Sequence, residues 1–356
     1  IGQPSPFPER INNEVIPFLR DKEQETVIRI IQPLYQPEIF HNYKMKKELY
    51  KTVKIEKEIF QIELIADVKE AYYNYLKVNE LMMILKKNKS LAEENYQFNL
   101  SLHRNNKITK DIVLRSEADI LAIEQNLSEA EKNSIDSRNY FNFLLNRPFE
   151  EEILHDKTTP VREALQLKKL LEEAFMKRKE LELIDYAVKI ADQVIKIGKS
   201  SFYPRLTAVL DYGIQGEEYQ FNNESRYWTA SIIADWNIFK GGSDLAKIDQ
   251  GKMEKKSLEI QKEELKQKIA LQVESAFNEY RTSLINISKA EKQYKSMEES
   301  FQIIEKKYRE GLITYIEYLD TRTNYLNSEK NLCISIYDHE IKKARLLKTI
   351  GIGGEK

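Results

Sequence analysis

The sequence predicts a mainly α protein with a small β part, arranged as a tandem structural repeat of long antiparallel coiled-coil helices. Three observations predict this class. Similar segments recur about 205 residues apart, apolar residues keep a seven-residue period over long stretches, and two short stretches alternate strictly between apolar and polar residues. Because these observations concern different levels of structure and agree, we expect one consistent architecture.

The composition favours a helix-rich chain over a helical membrane protein. Of 356 residues, 32% are charged and 41% hydrophobic, and no run of about 18 apolar residues is available for a transmembrane helix. Lys plus Arg (56) nearly balance Asp plus Glu (57), which gives no basic surface for nucleic acid. The single Cys333 excludes an intrachain disulfide. Since the chain starts at Ile1 without Met or a targeting segment, we expect a processed or incomplete form.

The repeat is visible in matched segments of the two halves. A shift of about 205 residues places residues 66–77 (ADVKEAYYNYLK) on residues 271–282 (LQVESAFNEYRT). The predicted organisation is a first repeat at 1–146, a connecting segment at 147–175 and a second repeat at 176–356. Each repeat should contain a β-hairpin followed by a pair of long helices, and the second repeat opens with an additional helix.

The long helices follow from a heptad pattern. In the second copy the large seam residues fall seven apart: Val273, Tyr280, Ile287, Tyr294, Phe301 and Tyr308. Residues 242–308 contain no proline and only Gly251 as an internal glycine, so they predict one helix of roughly 60 residues, about 90 Å long. Residues 313–350 predict the return helix. Because such a rod cannot bury its apolar seam alone, it needs partner helices.

A period-two alternation predicts the β part, a hairpin at 203–239. In residues 226–239 one face carries Trp228, Ala230, Ile232, Ala234, Trp236 and Ile238. Residues 205–215 alternate in the same way, with Tyr212 on the apolar face. Two tryptophans eight residues apart would stand about 26 Å apart, close to the height of the apolar band of an outer-membrane barrel. An ordinary amphipathic hairpin on a soluble core fits the same pattern, so both interpretations stay open.

Motifs for chemistry are scarce. The histidines are scattered without a metal-ligand spacing, and we expect Asp338 and His339 at a helix surface. Cys333 keeps the register of Leu312, Leu319 and Leu326, which indicates a buried seam residue and not a reactive thiol. The sequence therefore predicts no catalytic residue, no metal, no cofactor and no enzyme activity.

The chain resembles the TolC-like outer-membrane efflux proteins, the outer membrane channels of tripartite efflux and type I secretion systems. The segments that carry the resemblance are SFYPRL (201–206), DWNIFKGG (235–242), YREGLITYIEYLDTR (308–322), ARLLKTIG (344–351) and the opening helix at 178–191. The resemblance implies a homotrimer in which each protomer gives four strands to a twelve-stranded membrane β-barrel. The long helices would form an α-barrel across the periplasm, and residues 147–175 would be its equatorial segment.

The first copy departs from the family pattern. It has no helix before its hairpin equivalent to 178–200, so the N-terminal part looks incomplete. Residues 7–26 show no clean alternation and contain Pro17. Four strands per protomer is therefore inferred from the resemblance.

The resemblance also implies where partners and cargo meet the chain. It predicts a location in the outer membrane of a Gram-negative bacterium, extending into the periplasm, with Trp228, Trp236 and Tyr212 in the membrane girdle against outer-membrane lipid. The turns between paired helices would be periplasmic tips that meet an adaptor protein and, through it, an inner-membrane pump. The adaptor-facing candidates are Gly311, Leu312, Ile313 and Thr314, with Asn106, Lys107, Ile108 and Thr109 in the first copy. Asn106 replaces the glycine but tolerates positive φ, so we expect a turn there too.

Carboxylates just past the tips are candidates for a pore constriction. By resemblance, Glu317 and Asp320 line the narrow entrance, and three-fold symmetry would make each a ring of like charges. Asp111 lies near the corresponding place but one position out of register. The alternative is that these residues complement the helix dipole and face water. The function implied is an exit duct for efflux or secretion, and the alternative is a soluble periplasmic coiled-coil scaffold. Neither cargo nor pump is encoded in a recognisable motif.

Overall fold

The computed structural model describes residues 10–11, 14–15, 22–154, 165–218 and 221–353. Its helices are α1 (Pro37–Arg104), α2 (Lys110–Leu144), α3 (Leu167–Lys177), α4 (Lys179–Ser200), α5 (Ser243–Arg309) and α6 (Tyr315–Thr349). Its strands are β1 (Arg10–Ile11), β2 (Glu14–Val15), β3 (Gln24–Tyr35), β4 (Arg205–Gly216) and β5 (Arg226–Asp235). The predicted class, mainly α with a small β part, is confirmed.

The chain forms two compact units. One combines the described part of Ile1–Thr52 with Asp185–Ile260, and the other combines Val53–Ile184 with Gln261–Lys356. Each sequence repeat contributes to both units, because its strands and the adjoining helix ends belong to the first unit and the remainder of its long helices to the second. The boundaries proposed for the repeats themselves stay a prediction.

The first unit contains an antiparallel sheet in the order β3-β4-β5, while β1 pairs separately with β2. Tyr212 on the central strand lies opposite Ile28 on one side and Trp228 on the other. The ladder between β3 and β4 shifts register between Pro33 and Tyr35, as expected where proline removes a backbone donor. Most of residues 7–26, where the first-copy hairpin was expected, lies outside the described residues.

The second strand of the hairpin is shorter than the alternation predicts. Period-two patterning continues to Phe239, but β5 ends at Asp235. The side chain of Asn237 donates to Asp244 Oδ2 at 2.7 Å. Gly241 and Gly242 then adopt φ of 57° and 81°, which glycine reaches without steric cost. These features turn the chain into α5, so Trp236 lies just past the strand.

The second unit is built on the predicted seam. Val273 and Ile287 are fully buried, and Tyr280 is 1% exposed. One cluster joins this part of α5 to α3, α4 and the end of α6 through Leu170, Ala174, Leu181, Ile269, Val273, Tyr280, Leu346 and Ile350. The helix expected to contain roughly 60 residues has 67. The heptad therefore identified both the helix and its buried face.

The expectation that His339 lies at a helix surface is wrong. His339 is fully buried, with its ring 5.0 Å from that of Tyr280 and Nδ1 2.8 Å from Ser283 Oγ. The reason is a second heptad on α6, which runs through Tyr318, Tyr325, Leu332, His339 and Leu346. A polar residue in such a register is carried into the core with the rest of the stripe.

Candidate functional site

The sheet of the first unit has one apolar face. Residues paired across neighbouring strands form rows on this face: Ile28, Tyr212 and Trp228 in one, Ile30, Leu210 and Ala230 in the next, and Gln32, Ala208 and Ile232 in a third. Trp228 is 71% exposed and Ile232 is 72% exposed. Large apolar side chains are thus presented outward in register across three strands, which is unusual for a surface facing water.

The opposite face of the same sheet is mixed, because it carries polar residues that pair with each other and also Val27, Ile31, Val209 and Ile233. Arg29 on β3 donates to both carboxylate oxygens of Asp211 on β4, with Nε at 2.8 Å and Nη2 at 2.9 Å. The Tyr227 hydroxyl on β5 donates to the Glu25 carboxylate. Such a bidentate pair fixes both side chains in the plane of the sheet surface. The ion pairs Arg29–Asp211 and Arg205–Asp235 therefore both lie on this face, as polar contacts do on the lumen side of strands that have lipid on their other side.

The predicted girdle residues lie at the two ends of this apolar face. Tyr212 and Trp228 are directly opposite each other on β4 and β5. Trp236 lies beyond the other end of β5, where its indole nitrogen donates to the carbonyl of Phe202 at 3.1 Å. An aromatic ring whose polar N–H or O–H group is hydrogen-bonded is typical of a membrane–water boundary. Their contact with lipid stays a prediction.

The two tip turns have the same backbone geometry. In the second copy Gly311 has φ of 74°, and the amide of Leu312 donates to the carbonyl of Lys307 at 2.9 Å. In the first copy Asn106 has φ of 55°, and the amide of Lys107 donates to the carbonyl of Leu102 at 2.9 Å. This pattern ends a helix with a left-handed residue. The prediction that asparagine preserves the turn is confirmed.

Beyond the backbone, the two tips differ. Thr314 and Glu317 form a capping box in the second copy, in which Glu317 Oε2 accepts from the Thr314 amide at 2.9 Å. Thr109, at the same place in the first copy, makes no side-chain cap. Leu312 and Ile316 are exposed, so the second tip presents apolar side chains one turn apart. The two tips therefore have the same backbone conformation but expose different side chains.

The candidate constriction residues Glu317, Asp320 and Asp111 are all exposed. Glu317 is held by its cap, and Asp320 accepts from the Asn324 side chain at 3.2 Å. Glu317 thus has the local role that the helix-dipole interpretation assigns to it. Because these bonds leave carboxylate oxygen exposed, they are compatible with a second role in a pore, which stays a prediction.

One charged pair near the tips was missed from the sequence. Arg322 on α6 is only 3% exposed and is paired with the Asp119 carboxylate on α2. Arg322 follows Tyr318 by four residues and precedes Tyr325 by three, so the buried stripe of α6 was the signal that could have revealed it. The pair joins the first-copy return helix to that of the second copy.

Stacked aromatic residues pack beside this pair. Rings of Tyr308 and Tyr318 are 4.8 Å apart, and those of Phe301 and Tyr325 are 5.0 Å apart and nearly parallel. Burial raises the pKa of Tyr308 to about 12 because the charged phenolate is disfavoured away from water. The hairpin of α5 and α6 is therefore closed by aromatic packing along its tip-proximal part.

Two features that could carry chemistry are a cluster of metal ligands and the thiol of Cys333. In this part of the chain, no group of three or more His, Cys, Asp or Glu residues is placed to hold a metal ion. Cys333 is buried in the seam as predicted, and burial raises its thiol pKa to about 12. The described helices include none with an apolar stretch long enough to cross a membrane.

Comparisons with known proteins give a consistent set of relatives. A family model described as outer membrane efflux protein matches residues 170–351. The probable outer membrane lipoprotein SilC of Salmonella typhimurium is 20% identical over 315 residues, which cover 82% of this chain and 64% of that protein. The chain thus spans less than two thirds of the length of this curated relative.

Solved structures with a similar fold belong to channel proteins. CusC aligns with a TM-score of 0.80 and 16% identity over 93% of this chain and 78% of that chain. The CmeC outer membrane channel of Campylobacter jejuni aligns with 0.79 and 14% over 94% and 78%. The MtrE outer membrane channel of Neisseria gonorrhoeae aligns with 0.77 and 18% over 93% and 80%. At these identities the likeness establishes the fold alone.

Proposed function

This chain belongs to the outer membrane efflux protein family, and from that premise we propose that it is an exit duct in the outer membrane of a Gram-negative bacterium. The duct carries efflux or secretion cargo across the periplasm and the outer membrane. It acts as a passive conduit and not as an enzyme, and it needs no cofactor and no nucleic acid. The observation that carries the proposal is the sheet with one exposed apolar face and an opposite face that carries the Arg29–Asp211 ion pair.

The sheet supports assembly as a homotrimer. In the described part of the chain, β3 and β5 are the edges of a three-stranded sheet. An edge strand in a membrane leaves backbone N–H and C=O groups without partners, which is costly in lipid. Closure with strands from further copies removes those edges. Three copies contributing four strands each would make a twelve-stranded barrel, with lipid on the apolar face and the Arg29–Asp211 pair toward the lumen.

Helix surfaces support the same assembly. The first turns of α1 expose Ile39, Tyr43 and Tyr50, with fractions of 49%, 68% and 73%. Their spacing of four and seven residues puts them on one stripe of the helix. These large apolar residues are exposed in a single protomer, and helices of neighbouring copies would bury them. In the trimer these stripes would contact the adjacent copies and close an α-barrel below the membrane.

The tips are proposed to bind a periplasmic adaptor that connects the duct to an inner-membrane pump. The support is the pair of tight turns at Gly311 and Asn106, together with the exposed Leu312 and Ile316. A trimer would present six tips that alternate between the two surfaces. Exposed apolar residues framed by polar ones are typical of such contact sites.

The entrance is proposed to be narrowed by acidic rings. Glu317 and Asp320 are exposed on the first turns of α6, and three-fold symmetry would repeat each of them around the axis. Rings of carboxylates favour cations over anions in a pore. Asp111 on α2 is an additional candidate in the first copy.

The sharpest test of the membrane duct uses two neighbouring positions on β5. Ile232→Arg places a charge on the apolar face, where the cost near the centre of a bilayer is about 2–4 kcal/mol. Ser231→Arg places the same charge on the opposite face, which carries the Arg29–Asp211 pair, and serves as the matched control. We expect Ser231→Arg to form a detergent-stable trimer that conducts ions in planar bilayers, whereas Ile232→Arg should lose both properties.

The outcome that contradicts the duct is equally concrete. Under the alternative of a soluble periplasmic scaffold, the wild-type protein would fractionate with soluble periplasmic proteins and would not conduct. Ile232→Arg and Ser231→Arg would then behave alike, since both sites would face water. Either result would remove the basis for a membrane barrel.

A further inference from the structure

A corner of the first unit joins the sheet to its helices and has an unusual surface. This interfacial corner consists of residues 199–203, at the end of α4, and residues 236–240, which follow β5. The indole of Trp236 donates to the carbonyl of Phe202, so the two segments are tied together. The Asn237 side chain donates to Asp244, which fixes the second segment against the start of α5.

Apolar side chains of the interfacial corner point away from the protein. Ile238 and Phe239 are each 82% exposed, and Tyr203 is 56% exposed. The exposed fractions of Ile238 and Phe239 exceed those of the apolar sheet residues, although the corner lies outside the strands. Hydrogen bonds hold the segment in this position, so the exposure is not that of a loose tail. Ile238 and Phe239 follow the end of β5 at Asp235 by three and four residues, so this apolar surface adjoins the sheet in the chain.

Two lysines flank these apolar residues. Lys199 and Lys240 are exposed, and within the described residues neither has an ion-pair partner. Cations nearby are paired: Arg205 Nη2 lies 3.4 Å from Asp235 Oδ1, and Lys196 Nζ lies 2.6 Å from Asp192 Oδ2. Lys199 and Lys240 therefore give the interfacial corner two exposed positive charges outside any ion pair of the described residues.

The spacing suits the headgroup layer of a membrane. Lys240 follows Trp236 by four residues, at most about 13 Å of extended chain. The headgroup region adds about 5–7 Å to each side of the hydrocarbon core. The flexible lysine side chain can lie along the apolar surface while its ammonium group reaches a lipid phosphate in the headgroup layer. Lys240 and Trp236 thus fit a boundary where aromatic rings meet the core edge and cations meet the headgroups.

We propose that the interfacial corner binds an anionic phospholipid of the inner leaflet. The phosphate-bearing headgroup lies between Lys199 and Lys240, and its acyl chain lies against Ile238 and Phe239. The occupant follows from charge complementarity and from continuity with the lipid-facing sheet. The inference rests on the proposed function, since it requires the sheet to lie in a membrane. Three such sites would surround each trimer.

The test measures lipid retention by the assembled protein. Wild type, Lys199→Gln/Lys240→Gln and the control Lys295→Gln/Lys306→Gln are purified from vesicles of equal phosphatidylglycerol and phosphatidylcholine, and retained lipids are counted by native mass spectrometry. The control lysines are exposed in the last third of α5 and change the net charge equally. Conductance in planar bilayers is recorded for every sample.

We expect wild type and control to retain phosphatidylglycerol preferentially, with a preference that falls as salt rises. The corner variant should retain roughly 25-fold less of it, the product of about fivefold for each of the two lysines near an anionic surface, while still conducting. Equal retention by the corner variant, or no lipid preference in wild type, overturns the inference and leaves the duct standing. Absence of conductance in wild type overturns the duct and, with it, the inference.

Discussion

At the scale of single residues, the buried guanidinium of Arg322 is the charge whose partner matters most for the stability of the fold. It is 3% exposed, and its carboxylate partner Asp119 is on another helix. Removing one member of a buried pair leaves an uncompensated charge away from water, which typically costs about 3–5 kcal/mol. Replacing both members with apolar residues removes that penalty.

We therefore expect Asp119→Ala to lower the free energy of unfolding by about 3–5 kcal/mol, and Asp119→Ala/Arg322→Met to recover much of the loss. The matched control is Asp136→Ala, which breaks the pair of Lys132 and Asp136, whose side chains are 75% and 62% exposed. That change should cost less than about 1 kcal/mol. Chemical unfolding midpoints of the detergent-solubilised protein measure all three. Equal losses for Asp119→Ala and Asp136→Ala would show that Arg322 does not depend on its partner.

At the scale of elements, two glycines that follow helix ends, Gly311 at a tip and Gly351 after α6, separate backbone strain from steric crowding. Gly311 has φ of 74°, and a Cβ added there would meet no atom within 4 Å. Gly351 has φ of 81°, but its Cβ would lie 2.9 Å from the carbonyl oxygen of Lys177. Gly311→Ala should thus cost only the left-handed backbone term, about 1–2 kcal/mol, and Gly351→Ala should cost clearly more.

Asn106→Gly provides the reference for these two substitutions. Asn106 already occupies the left-handed region, so glycine there should leave stability nearly unchanged. Thermal unfolding of the three variants under one set of conditions gives the ranking. A larger loss of stability for Gly311→Ala than for Gly351→Ala would contradict the expectation that Gly311 has open space around it.

Elements were largely predictable where one residue period governs a long segment. The heptad of Val273, Tyr280 and Ile287 identified a buried helix face, and alternation in residues 205–215 identified β4. The end of β5 was not predictable, because alternation alone does not reveal the hydrogen bond between Asn237 and Asp244 that turns the chain. A periodic sequence pattern shows which face of a helix or strand is buried, whereas the residue at which the element ends depends on contacts that the pattern does not contain.

Buried polar residues were the part of the candidate site that the sequence did not predict. His339 and Arg322 lie on buried stripes of α6, but their polarity suggests a surface position because charged and polar groups are rarely buried unpaired. Their partners, Ser283 and Asp119, come from other helices. The sequence contains the helical register needed to bury them, but it does not identify the partner that makes burial tolerable.

At the scale of the whole molecule, the sheet and the tips impose different demands on one assembly. The sheet needs further copies to close its edges, and the tips need symmetry to turn single carboxylates into rings. A homotrimer would meet both demands at once. In that arrangement the same three-fold axis would relate the three copies in the membrane barrel and at the entrance. A change of charge at the tip should therefore alter ion conductance without preventing assembly of the trimer.

This separation gives the last prediction. In Glu317→Gln/Asp320→Asn, glutamine keeps the capping box with Thr314 because its side-chain oxygen still accepts from the backbone. The trimer should therefore assemble normally, while loss of six carboxylates around the axis should reduce cation preference and change single-channel conductance. The control Glu254→Gln/Glu259→Gln removes the same charge from exposed positions in the first third of α5. Wild-type conductance and ion preference in the tip variant, measured in planar bilayers alongside that control, would show that Glu317 serves only to cap its helix and that the entrance is formed by other residues.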